Sequence, residues 1–232
     1  MLGSTEALYI LLALGVILCI ISFILQWTGK RGDSVLLVGH NGAGKTALFL
    51  QLERGEIGNG TVTSMKETVG FVKQDKREKQ LRLVDVPGHP RISKGIFAGH
   101  TDRAKGFIFV VDSVDFMVQK DQVAEQLYDI LASKAVSSRQ MPVLLLANKA
   151  DMGAKAHSVE FIRKRLEKAL DQLRTTRADV EAESGNALEK AGEPFTFAGL
   201  ARARGAQVVT ASCSALQGDI AEVTEWLSQT IT

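Results

Sequence analysis

The chain has 232 residues, with 28 Lys and Arg against 26 Asp and Glu, a net charge of +2. So even a balance lacks the basic excess of a polyanion binder, and no direct contact with nucleic acid is expected. An apolar fraction of 45% excludes an intrinsically disordered chain, and two cysteines, Cys19 and Cys213, exclude a disulfide framework.

Residues 1–6 form a short N-terminal stretch, and residues 7–27 are predicted to be a transmembrane helix. Between Ala7 and Gly29 there is no charged residue. At a rise of about 1.5 Å per residue, some 20 residues cross about 30 Å of hydrocarbon. A cleaved signal peptide would begin with basic residues and end in a small-residue cleavage site. Here Glu6 precedes the run and Trp27 closes it, placed as an interfacial anchor. Lys30 and Arg31 follow the span, so the positive-inside rule puts residues 30–232 in the cytosol. One such block excludes a polytopic transporter.

In the remainder, apolar runs at 34–39, 81–86, 106–112, 143–148 and 206–212 read as buried strands, with a weaker edge strand at 68–73. Continuous apolar runs suit a parallel sheet covered on both faces. Helical spacing joins Val123, Leu127, Ile130 and Leu131, then Ile162, Leu166, Leu170 and Leu173, and last Ile220, Val223, Trp226 and Leu227. The fold class expected is α/β, a mostly parallel six-stranded sheet flanked by helices, with ligands bound at the carboxyl ends of the strands. Residues 174–205, rich in Ala, Glu, Gly and Arg, break this rhythm and read as an insertion or mobile loop, with Phe195-Thr196-Phe197 its one strand-like fragment.

Four strand ends carry chemistry. Gly39-His40-Asn41-Gly42-Ala43-Gly44-Lys45-Thr46 matches GxxxxGK[ST] between a predicted strand and a helix over 45–54. Its backbone N–H groups and the helix N-terminus would cradle phosphates, with Ala47 next along the helix. Lys45 would neutralise the β- and γ-phosphates, and the Thr46 hydroxyl would ligate Mg²⁺. His40 contributes only its backbone. Asp85-Val86-Pro87-Gly88 would hold Mg²⁺ through a water on Asp85 and offer the Gly88 N–H to a γ-phosphate. Asn148-Lys149-Ala150-Asp151 would read a base. The Asp151 carboxylate accepts from the two donors of guanine, which adenine lacks, and Lys149 packs over the ring while Asn148 ties the loops together. Ser214-Ala215 would place the Ala215 N–H at the guanine carbonyl.

Taken in order, these motifs resemble those of small GTPases of the Ras and Arf types. That resemblance implies a switch I threonine between the P-loop and Asp85. Thr63, 17 residues after Thr46 and 22 before Asp85, suits the role of Mg²⁺ ligand, with Thr61, Val62, Thr63 and Ser64 lying over the phosphates and Thr68 as the alternative. Three features narrow the match: a span directly before the domain, His89 after Asp-Val-Pro-Gly, and a long segment between Asp151 and Cys213. Together with Thr61-Val62-Thr63-Ser64-Met65 and Phe195-Thr196-Phe197-Ala198-Gly199-Leu200, they resemble the beta-subunit family of the signal recognition particle receptor. The resemblance implies GTP and Mg²⁺ as ligands and the receptor's alpha subunit as heterodimer partner. It also implies a single-pass place in the endoplasmic reticulum membrane with a lumenal N-terminus, near ribosome, translocon and lipid bilayer.

The competing reading is an Arf- or Sar-like cycling GTPase of vesicle traffic, against which a permanent anchor argues. His89 is open between a catalytic, water-positioning role and a place in the partner interface. No arginine finger stands in the motif loops, so intrinsic GTP hydrolysis is expected to be slow. Leu216 stands where many GTPases carry Lys after Ser-Ala.

Overall fold

A computed structural model of the chain describes residues 32–57, 66–73, 80–181 and 193–230, together with Gly15 and Leu188. The chain divides into two units, 1–31 and 32–232. Gly15 is helical; the remainder of the predicted span 7–27 lies outside the described residues. No helix among the described residues is long and apolar enough to cross a membrane.

Among its described residues the second unit holds six strands: β1 (Ser34–Val38), β2 (Thr68–Lys73), β3 (Gln80–Asp85), β4 (Ala104–Asp112), β5 (Val143–Asn148) and β6 (Val208–Ser212). Their order is β2-β3-β1-β4-β5-β6. Only the β2–β3 pair is antiparallel. The sheet is therefore mostly parallel, as expected, and the predicted edge strand has the predicted bounds.

Side-chain alternation sorts the continuous apolar runs into two cores. Leu36, Phe107, Phe109 and Val111 face one side. Val35, Leu37, Ile108 and Val110 face the other. The first side is covered by α3 (Phe116–Ala132), α4 (Lys134–Arg139), α5 (Val159–Glu181) and α6 (Phe197–Arg204), through residues such as Leu127, Val136, Leu166 and Leu200. On the second side lie α1 (Lys45–Arg54) and α7 (Ala221–Thr230), with Leu48, Phe49, Val223 and Trp226. Helix α2 (Pro90–His100) adds Ile96 and Phe97 to the first core. Truncating a fully buried Leu127 or Leu166 to Ala would cost about 2–5 kcal/mol.

The chain winds both ways from β1, so loops from both halves meet at its carboxyl end, the place where such sheets bind ligands.

The segment expected to be an insertion or mobile loop is partly regular. Helix α5 continues to Glu181, and α6 occupies Phe197–Arg204. Ala, Glu and Arg are strong helix formers without being apolar, so a reading based on apolar stripes passes over them. Phe195-Thr196-Phe197 is not a strand. Thr196 caps α6, its Oγ1 accepting from the Gly199 N–H at 3.0 Å. The Phe195 and Phe197 N–H groups donate to Asp171 Oδ1 (3.1 Å) and Glu167 Oε1 (3.0 Å) on α5. Helix carboxylates take the place of a neighbouring strand.

Candidate functional site

The loop from Gly39 to Gly44 joins β1 to α1. Gly44 has φ +88°, and a Cβ there would lie 2.2 Å from Asn148 Nδ2, so only glycine fits both the backbone and the space. Lys45, the first residue of α1, is buried, and its Nζ donates to the His40 carbonyl at 2.9 Å. Burial pushes its pKa down to about 8, against an opposing pull from Asp85. Thr46 Oγ1 donates to Asp85 Oδ2 at 2.7 Å. Asp85 is 1% exposed, and its Oδ1 has no hydrogen-bond partner among the described residues. Burial raises its pKa; the Thr46 hydrogen bond and the Lys45 charge oppose the rise. A hydroxyl beside a buried carboxylate with a spare oxygen is a hard-oxygen set that fits Mg²⁺.

Gly88 lies against the P-loop. A Cβ on it would sit 2.7 Å from Asn41 Cα and 2.8 Å from Lys45 Nζ. His89 is exposed in extended conformation at the start of α2.

At the other end, Asn148 joins three loops. Its Nδ2 donates to the Ala43 carbonyl (2.9 Å), and its Oδ1 accepts from the Ala215 N–H (3.0 Å) and Cys213 Sγ (3.3 Å). The Ala215 N–H, expected at the guanine carbonyl, is thus already engaged. Burial pushes the Cys213 thiol up to about 12, which makes it an inert packing group. Lys149 has a left-handed backbone, φ +68°. Such a conformation costs a non-glycine residue energy and recurs at binding sites. Its Nζ contacts Asp112 Oδ2 at 2.5 Å. Asp151 Oδ1 accepts from Ser214 Oγ at 2.7 Å.

Together these residues line a cleft of about 380 Å³. Its wall includes Asn41, Gly42, Gly44, Lys45, Thr46, Ala47, Asp85, Gly88, Asn148, Lys149, Asp151 and Ala215. Gly39, His40 and Ala43 belong to the same loop but are not part of this wall. Thr61, Val62, Thr63 and Ser64 lie outside the described residues. Thr68, the alternative switch I residue, opens β2 opposite Asp85 in register and is exposed.

Sequence reasoning missed Asp112, which also accepts from the Val114 N–H (2.9 Å), and Ser113, whose Oγ donates to the Asn148 carbonyl (2.6 Å). The signal was present: Val-Val-Asp-Ser ends a buried strand, and that strand's carboxyl end went unused. Met152 and Leu216, both exposed apolar groups, also line the cleft.

A mostly parallel α/β sheet with a P-loop, a following Asp-x-x-Gly and an Asn-Lys-x-Asp gathered in one cleft defines a protein of the small-GTPase class. The family described as signal recognition particle receptor beta subunit matches residues 30–203, and the chain belongs to that family. It is 31% identical to the mouse signal recognition particle receptor subunit beta over 231 residues, 93% of this chain and 84% of that protein. The solved structure of the mammalian SRP receptor is similar with a TM-score of 0.75 and 32% identity, over 85% of this chain and 99% of that one. The SRb-GTP/SRX complex of Chaetomium thermophilum, 24% identical with a TM-score of 0.68 over 86% of this chain and 99% of that one, shares the fold.

Proposed function

We propose that the chain binds GTP with Mg²⁺ and serves as the membrane-anchored beta subunit that docks a receptor alpha subunit at the endoplasmic reticulum. One observation carries this: the four motifs meet in a single cleft, in a chain of the receptor beta-subunit family. Lys45 would set its ammonium against the β- and γ-phosphates. Thr46 would ligate the Mg²⁺ directly and Asp85 through a water, the ion screening phosphate charge; Thr63 would complete the set, with Thr68 as alternative. Asp151 keeps one carboxylate oxygen free of Ser214 for guanine, and Lys149, pinned by Asp112, covers the ring plane. The partner would rest on switch I, around Thr63, and switch II, His89–Gly99, stabilising the GTP form and being stabilised by it to the same degree. The related SRb-GTP/SRX complex supports such a GTP-bound pairing. Hydrolysis would be slow without an arginine finger. Residues 7–27 would fix the domain to the cytosolic face, close to translocon and ribosome.

The test is purification from detergent-solubilised membranes with GTP or GDP present. A receptor alpha subunit should co-purify with GTP and fall away with GDP, and alkaline carbonate should not extract the chain. Recovery alone, after carbonate extraction, would favour a cycling Arf- or Sar-like GTPase instead.

A further inference from the structure

Helix α3 presents Gln119, Gln122 and Gln126 at spacings of three and four, which places them along one side. Its Val123, Leu127 and Tyr128 are at most 1% exposed in the first core, so the helix is a rigid support. From it, Gln126 Nε2 donates to the Gly88 carbonyl at 3.3 Å. One turn earlier, Gln122 Oε1 lies 2.7 Å from His40 Nε2, and His40 Nδ1 lies 3.0 Å from the Asn41 carbonyl. The same helix thus grips the P-loop and the loop that opens switch II.

Two further facts weigh on Gln126. Its Oε1 is buried without a partner among the described residues, an arrangement that costs free energy and that an apolar residue would avoid. And Gly88, which it holds, has no side chain to fix its torsions, yet packs against Asn41 and Lys45 so closely that a Cβ would collide. The carbonyl bond is therefore the side-chain restraint on a residue whose main chain has to be aimed.

We propose that Gln126 is a positioning residue for γ-phosphate recognition. By holding the Gly88 carbonyl, it fixes the Gly88 main chain with its N–H towards the γ-phosphate, and Gln122 keeps the P-loop in the same frame through His40. The proposal rests on the GTP reading above. GDP lacks the group that Gly88 addresses, so loss of Gln126 acts on GTP alone.

The experiment measures GTP and GDP affinities of the full chain in detergent, for wild type, Gln126→Leu, Gln126→Glu and Gly88→Ala, with thermal melts to check folding. Gln126→Leu should weaken GTP about three- to tenfold, the range of one hydrogen bond, with GDP unchanged. Gln126→Glu, which sets an acceptor against the carbonyl, should weaken GTP more and likewise spare GDP; it serves equally if the leucine variant does not fold. Equal losses for both nucleotides would make Gln126 merely structural and overturn the proposal. So would an unchanged GTP-to-GDP ratio in the Gln126 variants while Gly88→Ala abolishes it, a result that leaves the GTP reading standing. If Gly88→Ala also leaves the ratio unchanged, the role given to Gly88 fails and takes the proposal with it.

Discussion

At the base end of the cleft, Asn148, Lys149 and Asp151 each bond to protein: to Ala43 and Ala215, to Asp112, and to Ser214. At the phosphate end, Lys45 is a buried cation held below its ordinary pKa, and the Asp85 Oδ1 has no partner among the described residues. The base end is preorganised by internal hydrogen bonds. The phosphate end carries charges whose burial is unfavourable until a polyphosphate and a cation meet them. Removing a base-end hydrogen-bonding group should therefore disturb the fold as well as binding, whereas removing the phosphate-end charge should disturb binding and leave the fold as stable or more so.

The largest effect tests base recognition. A site built around Asp151 should prefer GTP over ATP by about 10⁴-fold, because adenine leaves a desolvated carboxylate unpaired. Asp151→Asn should collapse that preference and turn it toward xanthosine triphosphate, whose carbonyl meets the new amide donor. Competition among the three nucleotides reads this out. Equal wild-type affinity for ATP and GTP would remove the base end from the comparison altogether.

Next comes Asn148→Ala. It strips partners from the Ala43 carbonyl and the Ala215 N–H, both on buried residues. At about 1–3 kcal/mol for each group left unpaired, the nucleotide-free protein should lose roughly 2–6 kcal/mol. Denaturant melts without nucleotide measure it, and a wild-type midpoint would show that the base end is not held together as described.

Lys45→Met should behave in the opposite way. Loss of charge-assisted bonds to phosphate weakens GTP binding by about tenfold or more, while the nucleotide-free fold at pH 7 is as stable as wild type or more so. The sign follows from the folded pKa, about 8, lying below the ordinary 10.5. Between those values the unfolded chain binds the proton and the folded one does not, so wild-type stability rises with pH across that window. The gain is on the order of 3 kcal/mol; it should be absent from Lys45→Met and so stand out as the difference between the wild-type and variant pH profiles. GTP affinity, which needs the ammonium, should fall above pH 8 and be accompanied by proton uptake.

How far the sequence carries this comparison depends on what each end is made of. The phosphate end is a local motif: Gly39 to Thr46 are contiguous and flanked by a strand and a helix that apolar spacing reveals. The base end is assembled from β4, β5 and β6. Asn148, Lys149 and Asp151 are legible as a motif, but Asp112, which pins Lys149 from 37 residues away, becomes meaningful only once β4 lies beside β5. Gln126 is further out of reach, because a glutamine on a helix carries no signal until the helix is placed over Gly88. In the 174–205 segment, α5 as far as Glu181 and α6 rest on helix propensity and on Glu167 and Asp171 taking backbone N–H groups, neither of which produces an apolar pattern.

The smallest effect lies at the rim of the base end. Leu216 is 73% exposed and Met152 44% exposed, and both line the cleft. A planar base entering beside Asp151 would cover part of the Leu216 side chain, an apolar contact where many GTPases place a lysine. Covering about 20–40 Å² at about 25 cal/mol/Å² contributes roughly 0.5–1 kcal/mol. Leu216→Ser should therefore weaken GTP and GDP alike, by about two- to fivefold, since both carry the same base. The melting temperature should not move, because an exposed side chain that leaves no cavity behind costs the fold little. Nor should the loss depend on salt, as no charge changes. Isothermal titration with each nucleotide at two ionic strengths checks all three points. A loss confined to GTP would place Leu216 with the phosphate end, and an unchanged affinity for both would show that the base does not reach it.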